Sequence, residues 1–263
     1  MKIIIITGGA GGIGLATAVA FSKLKNTKLI IIDRNKKNIK LAQEKIECDT
    51  YIVDVTKNIS QVIRKIYKKY HKIDILINCA GRLGPVGKFH TNNLEDWVLP
   101  LSVNLLGTVK TCHAVLPYMI KNRHGKIVNF SGGGALYPFP NFSAYSTSKA
   151  AVVRFTENLA SEYKKNNIQV NAIAPGAINT KFLDDSLKAG VKSLGHTLYK
   201  KLLKQKRSGG DSVEMAAKLI LFLVSTDLTG KIISAKWDNW QKWTRNDIKR
   251  INKTTLYTLR RMQ

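Results

Sequence analysis

The chain has 263 residues, 44% of them hydrophobic and 23% charged, with 43 Lys and Arg against 17 Asp and Glu for a formal net charge of +26. That length can bury a substantial core, and no segment approaches the roughly 20 apolar residues of a membrane-crossing helix, so a soluble protein without a membrane partner is expected. Cys48, Cys79 and Cys112 show neither metal-ligand nor CxxC spacing, which argues against a zinc module or a disulfide framework and for reduced thiols with no metal site.

The first residues, Met1-Lys2-Ile3-Ile4-Ile5-Ile6, run straight into Thr-Gly-Gly. The apolar run is too short for a signal peptide and reads as a buried first strand, so a cytoplasmic protein is expected. Apolar, β-branched runs at 3–7, 28–33, 50–53, 73–78, 126–131 and 169–173 then alternate with helical stretches at 12–25, 36–47, 59–70, 94–121 and 144–166. A helix at 212–225 and a seventh strand at 231–235 follow. Alternation of this kind predicts an α/β fold of the Rossmann type, a doubly wound parallel sheet of about seven strands with helices on both faces. The strands are apolar throughout rather than on alternate residues, as expected when both sheet faces are covered. With no repeat or low-complexity linker, residues 1–235 read as one domain.

Between the first strand and first helix stands Thr7-Gly8-Gly9-Ala10-Gly11-Gly12-Ile13-Gly14. Glycines there allow a tight turn and let backbone N–H groups approach a pyrophosphate at the positive helix end. Asp33 closes the second strand at the distance where a dinucleotide fingerprint places an acid for the ribose hydroxyls. It would repel a 2′-phosphate, so NAD is expected over NADP, although Arg34 beside it has the chemistry to hold that phosphate. Asp54, ending the third strand, is placed to accept from an adenine amino group with Val55 against the ring, or else to cap a turn at Thr56. Asn78-Cys79-Ala80-Gly81 ends the fourth strand on the same edge, with Cys79 expected as a small buried residue.

Tyr145 and Lys149 lie four apart at the start of a predicted helix, on one face. An ammonium beside a phenol stabilises the phenolate and is expected to lower the tyrosine pKa, suiting it to exchange a proton with a substrate hydroxyl or carbonyl. Asn104 falls in the 94–121 helix, near a kink expected at Pro100.

Residues 177–210 carry no strand signal and mix small, basic and flexible residues, which suggests a substrate lid. Lys181, Lys188, Lys192, Lys200, Lys201, Lys204, Lys206 and Arg207 there face only Asp184 and Asp185, so an anionic substrate is expected. The tail, 236–263, carries Trp237, Trp240, Trp243, Leu256, Tyr257 and Leu259 and is too apolar to stay free; it is expected to dock on the domain or on a neighbouring subunit.

Taken together, Thr7-Gly8-x-x-x-Gly12-x-Gly14, Asn78-Cys79-Ala80-Gly81, Asn104, Tyr145-x-x-x-Lys149 and Pro175-Gly176 resemble, in order and spacing over about residues 2–235, the single-domain short-chain dehydrogenase/reductase family. The resemblance implies an NAD(P)-dependent oxidoreductase that interconverts a secondary alcohol and a carbonyl. Tyr145 would be the acid/base, Lys149 its electrostatic partner and a binder of the nicotinamide ribose, and Asn104 the organiser of a water relay to Lys149. Gly12, Ile13, Asp33, Asp54, Val55, Asn78 and Ala80 would contact the cofactor, and Ile178 and Thr180 the nicotinamide carboxamide. A small-molecule substrate and a homodimer or homotetramer follow from the same resemblance; a phosphorylated or nucleotide-linked sugar or an acyl thioester as that substrate is read from the basic 177–210 segment. One departure stands out: the family's serine, 13 residues before the tyrosine, is Gly132 here. Ser131 is the favoured substitute, Ser143 a second, and the N–H groups of Gly132-Gly133-Gly134 a third. The +26 charge leaves an alternative, a nucleotide-sensing or nucleic-acid-binding protein on a weakened scaffold. The lysines are nevertheless spread over helix faces (Lys36, Lys37, Lys40, Lys45, Lys164, Lys165), so a nucleic-acid partner is not expected.

Overall fold

A computed structural model describes residues 1–260. Its centre is a seven-stranded parallel sheet in the order β3-β2-β1-β4-β5-β6-β7. The strands are β1 (Lys2–Thr7), β2 (Thr27–Asp33), β3 (Asp49–Ile52), β4 (Ile75–Asn78), β5 (Gly125–Phe130), β6 (Ile168–Ala174) and β7 (Ile232–Ser234). The order reverses between β1 and β4, and the crevice beyond the strand ends at such a reversal is where open α/β sheets take ligands.

The runs of isoleucine are explained by the period of two along a strand. Ile4, Ile6, Leu29, Ile31, Ile77 and Val128 enter one core, and Ile3, Ile5, Ile30, Ile32, Leu76 and Ile127 the other. Helices α1 (Gly12–Ser22), α2 (Lys36–Gln43) and α10 (Val213–Ser225) cover the first face. Helices α3 (Ile59–Tyr70), α5 (Gly107–Asn122) and α6 (Ser143–Glu162) cover the second.

Two segments differ from the sequence-based expectation. The helix expected over 94–121 is broken: α4 (Leu94–Pro100) passes into a wide, π-helical turn at Leu101–Leu106 before α5 begins. Pro100 has no N–H to give, and its ring crowds the preceding turn, which loosens the ladder where Asn104 sits. Residues 177–210, expected as an irregular lid, are mostly helical: α7 (Lys181–Lys188), α8 (Gly190–Leu194) and α9 (His196–Ser208). Gly190 and Gly195, at φ +73° and +78°, interrupt the helical pattern of the stretch.

The tail folds back on its own chain. Trp240, Ile248 and Ile251 are buried in the first core, and Phe222, Trp240, Trp243 and Tyr257 form a ladder with ring centroids 5.0 to 6.2 Å apart. A capping box of Thr244 and Asp247 starts α11 (Arg245–Asn252). Beyond it, Tyr257 O accepts from Ile232 N–H at 2.8 Å and so covers the edge strand β7. The last residues of the expected docking segment, 261–263, lie outside the described residues. Among the described residues no helix is long and apolar enough to cross a membrane.

Candidate active site

The glycine turn is shaped by close approach. Gly8 adopts φ +63°, and a Cβ on it would come within 2.7 Å of the Ala80 backbone; on Gly14 a Cβ would lie 2.1 Å from Gly8 O. Only glycine lets β1, the start of α1 and the end of β4 meet this tightly. Thr7 Oγ1 accepts from Ala80 N–H at 3.4 Å, which ties β1 to the end of β4. At the start of α1, Gly11 offers no side-chain cap and the first turn holds no acid. The free N–H groups and the positive helix end therefore suit a pyrophosphate. Gly12 is exposed, and Thr180 faces it from across the cleft, 3.5 Å from where a Cβ would be. Ile13 is half-buried against the core.

Asp33 is part of the turn as well as beside it. Its Oδ2 accepts from Ala10 N–H at 3.2 Å and its Oδ1 from Asn35 N–H at 2.9 Å. A carboxylate has about four lone-pair positions, so both oxygens keep capacity for ribose hydroxyls. Arg34, which is exposed, reaches across to Asp54 at 3.8 Å. Burial works against ionisation of Asp54, but hydrogen bonds from Thr56 N–H and Oγ1, at 2.9 and 2.7 Å, together with Arg34, keep its pKa below the usual range. The turn-capping geometry is therefore present. Val55 is turned inward against Gly107, where a Cβ would come 2.6 Å from Val55 Cγ2.

Asn78 also faces the interior. Its Nδ2 donates to Asn129 Oδ1 at 2.9 Å and to Cys112 Sγ at 3.3 Å, and Asn129 passes the network on to Thr156. Burial pushes the Cys79 thiol up to about 12, so it stays protonated and unreactive at neutral pH. Gly81 lies where Asn104 and Lys149 converge: a Cβ on it would be 3.4 Å from Asn104 Oδ1 and 3.8 Å from Lys149 Nζ.

Asn104 is 1% exposed and clamps a loop. Its Oδ1 accepts from Arg82 N–H at 2.7 Å, and its Nδ2 donates to Arg82 O at 2.9 Å and to Ser148 Oγ at 2.8 Å. The β4 exit and α6 are thus held at a fixed distance. Lys149, 4% exposed, donates to Phe130 O at 2.8 Å, and burial lowers its pKa to about 8. The same burial raises Tyr145 above its ordinary value of 10, with Tyr137 adding to the effect. This reverses the expected lowering of the tyrosine. Lys149 Nζ stands 5.8 Å from the Tyr145 ring centre with its proton directed at Phe130, so desolvation of the phenolate outweighs its attraction.

The substitutes considered for the missing serine separate clearly in space. Ser131 Oγ, buried, donates to Lys149 O at 3.4 Å. Ser143 Oγ accepts from Trp97 Nε1 at 2.9 Å. A Cβ on Gly132 would be only 2.1 Å from the Tyr145 hydroxyl.

Helices α7 to α9 pack beside this point. Phe182 of α7 meets the Tyr145 ring edge-on at 4.7 Å, within a cluster holding Leu83, Phe142 and Leu194. Below it, Pro175-Gly176 turns with Gly176 at φ +97°, pinned by Asp211, whose Oδ2 accepts from Ala177 N–H at 2.7 Å. Asp211 Oδ1 accepts from Lys236 at 2.7 Å, and Ile178 pairs with Gly210 and Asp211. Sequence reasoning missed Phe182, Arg82, Ser148 and Asp211. Only Ser148 carried a sequence signal, its place between the tyrosine and the lysine on one helix; the others reach the site through tertiary packing.

The chain is similar to known proteins over most of its length. The family model described as short chain dehydrogenase matches residues 2–191. A 3-oxoacyl-acyl-carrier-protein reductase of Thermotoga maritima is 35% identical over 243 residues, 88% of this chain and 95% of the relative. Among solved structures, an NAD+-bound xylitol dehydrogenase superposes with a TM-score of 0.80 at 27% identity, covering 89% of this chain and 96% of that one. YwfH, an NADPH-dependent reductase involved in bacilysin biosynthesis, superposes with a TM-score of 0.77 at 25% identity, covering 89% and 96%.

Proposed function

Because the chain belongs to the short-chain dehydrogenase family, we propose that this oxidoreductase interconverts a secondary alcohol and a carbonyl with NAD(H), using Tyr145 as the acid/base. The observation that carries the reading is the convergence of Tyr145, Lys149 and Asn104 beyond the strand ends, beside a glycine turn whose uncapped helix start suits a pyrophosphate. Asp33, carboxylate out and already fixed on the turn, favours NAD over NADP.

A bound nicotinamide would supply or accept the hydride. The rest of the chemistry falls to the chain. Tyr145, protonated at neutral pH, gives its proton to the oxygen of a carbonyl being reduced and takes it back in the reverse direction. Lys149, cationic at or below about pH 8, restores that proton and steadies the phenolate while it lasts. Asn104 keeps Arg82 and Ser148 apart at the width the site needs. Thr7, Gly8, Gly12, Ile13 and Gly14 shape the phosphate end, Asp33, Arg34, Asp54 and Val55 the adenosine end, and Asn78, Ala80 and Gly81 the floor. Pro175, Gly176, Ile178 and Thr180 form the wall beside the nicotinamide.

The substrate in this reading is a small anionic carbonyl compound, an acyl thioester or a sugar derivative. The lid supports it: Asp184 and Asp185 pair with Lys206, Lys181 and Lys188, leaving the other basic groups of α8 and α9 in excess. A cytoplasmic homodimer or homotetramer belongs to the same reading, with exposed Leu94, Val98 and Leu106 as the apolar face for assembly. The test is NADH binding by fluorescence, followed by loss of NADH absorbance with 3-oxoacyl thioesters and keto sugars. Full turnover by Tyr145→Phe would sink the mechanism.

A further inference from the structure

A carbonyl oxygen that takes up charge during hydride transfer calls for more than one donor aimed at it, and Tyr145 supplies one. Three serines at the end of β5 and on α6 have hydrogen-bond partners elsewhere. Ser131 donates to Lys149 O at 3.4 Å, Ser148 to Tyr145 O at 2.7 Å, and Ser143 is held by Trp97 Nε1 at 2.9 Å. Ser146 Oγ is buried and unpartnered among the described residues, and it lies behind Gly134, where a Cβ would come within 2.4 Å of it.

The backbone beside Tyr145 is different. The Ser131 N–H is bonded to Ile173 O at 2.8 Å and the Ala135 N–H to Gly132 O at 3.2 Å. Between them, the N–H groups of Gly132, Gly133 and Gly134 have no acceptor among the described residues. Successive unpaired N–H groups in a turn form a concavity that takes an anionic oxygen. Here the turn begins against the tyrosine hydroxyl itself.

We propose that the backbone N–H groups of Gly132 and Gly133, in place of a serine hydroxyl, share the substrate's carbonyl oxygen with Tyr145. The assignment rests on the alcohol–carbonyl reading above. In reduction, hydride from the reduced dinucleotide forms the new C–H bond and the π pair of C=O moves to oxygen. The two N–H groups hold that developing alkoxide, and the Tyr145 O–H bond breaks to give it a proton. One hydride and one proton account for the alcohol formed.

The test uses the full chain and two probes. A 3-oxobutanoyl thioester reports turnover, and the enolate of cyclohexane-1,3-dione presents an oxyanion to protein labelled with 15N-glycine. Gly133→Ala keeps the N–H, and its Cβ would meet nothing nearer than 3.5 Å; Gly133→Pro removes the N–H. We expect Gly133→Pro to lower kcat about 100-fold, with a much smaller change in KM, and Gly133→Ala to lose less than about threefold. The enolate should move the Gly132 and Gly133 amide resonances downfield, in wild type and in Tyr145→Phe alike. A 100-fold loss in Ser131→Ala with none in Gly133→Pro, or an enolate that leaves both resonances in place, would overturn the assignment. If the wild type turned over no carbonyl compound while the enolate still moved the two amides, the reduction reading would fail and the N–H site would stand. If Gly133→Pro did not fold, the labelled wild type would decide the matter alone.

Discussion

The hydroxyl of Tyr145 rests on the backbone of Gly132, so that a Cβ there would lie 2.1 Å from Oη and 3.0 Å from Cζ. Tyr145 thus fills the room that a side chain at 132 would occupy. A tyrosine ring is rigid to its tip, so one of the two must move.

Gly132→Ala and Gly132→Ser are therefore both expected to be harmful. Overpacking of this kind costs about 1–3 kcal/mol, a loss of roughly 2–4 °C in Tm per kcal/mol for a chain of this size. Turnover should fall more than tenfold in each, since Tyr145, the proposed acid/base, is displaced. Thermal denaturation and kcat check the two effects separately. A serine variant faster than the wild type would show that the loop moves aside.

Tyr145→Phe removes the proton but keeps the ring against Phe182, at 4.7 Å in the wild type. Loss of a general acid lowers turnover by about 10²–10⁴-fold. NADH affinity should change far less, because the phosphate and adenosine ends lie elsewhere on the strand ends. Equal losses in affinity and turnover would instead assign Tyr145 to cofactor binding.

Lys149 gives a pH signature. Its pKa in the folded protein is lowered to about 8, from 10.5, by burial. Between those values the unfolded chain binds more protons than the folded one, so stability rises with pH across that window. Below about pH 8 the buried charge costs the fold on the order of 3 kcal/mol. Lys149→Met should therefore be more stable than wild type at pH 7 and lose its advantage toward pH 10, while being inactive throughout. Urea denaturation of both proteins at pH 7, 8, 9 and 10 measures the difference; parallel curves would show that Lys149 is solvated.

The sheet was legible because its strands are short and mostly apolar, and its site edge because β1, β2 and β4 close on a polar residue, Thr7, Asp33 and Asn78. Residues that act through the backbone of a neighbour were not. Asp33 signals a ribose acceptor from its position, yet nothing in the sequence pairs it with Ala10 N–H. Asp211 reads as a residue before a helix cap, and only folding brings it to Gly176. The tyrosine pKa was misjudged for a similar reason: spacing puts Lys149 on the right face, but the depth of both groups and the pull of Phe130 O decide the sign. Helices α7 to α9 escaped because Gly190 and Gly195 interrupt a pattern whose apolar members, Phe182, Leu194, Leu198 and Leu202, are correctly placed only once the pieces pack on Tyr145.

The tail is expected to be part of the fold rather than an accessory. Trp240 is 5% exposed and its Nε1 donates to Ala235 O at 3.2 Å. Trp240→Ala removes the rung against Phe222 and should cost about 3–5 kcal/mol, the usual range for a buried aromatic. Trp237→Ala, with Trp237 78% exposed, should cost almost nothing. Comparable losses for the two would place the tail on a neighbouring copy, and light scattering would then show dissociation.

In the proposed reading, cofactor choice depends on Asp33 and on what Arg34 is already doing. Asp33 repels a 2′-phosphate and can accept from the ribose hydroxyls of NAD, while Arg34 is drawn toward Asp54 at 3.8 Å and away from that ribose. Asp33→Ala deletes the repulsion and the acceptor together, and also releases Ala10 N–H from its 3.2 Å bond. A hydrogen bond to a charged group is worth about 1.5–3 kcal/mol, so NADH affinity should fall tenfold or more, at about 1.4 kcal/mol per decade. NADPH should lose less or gain, because the freed space admits its phosphate and Arg34 can turn to it. Adding Arg34→Ala to that variant should then remove the NADPH gain without restoring NADH. Fluorescence titration with both dinucleotides reads all three proteins. If Asp33→Ala weakened NADH and NADPH equally, Asp33 would be a support for the glycine turn alone, and the proposed preference for NAD would lose its basis.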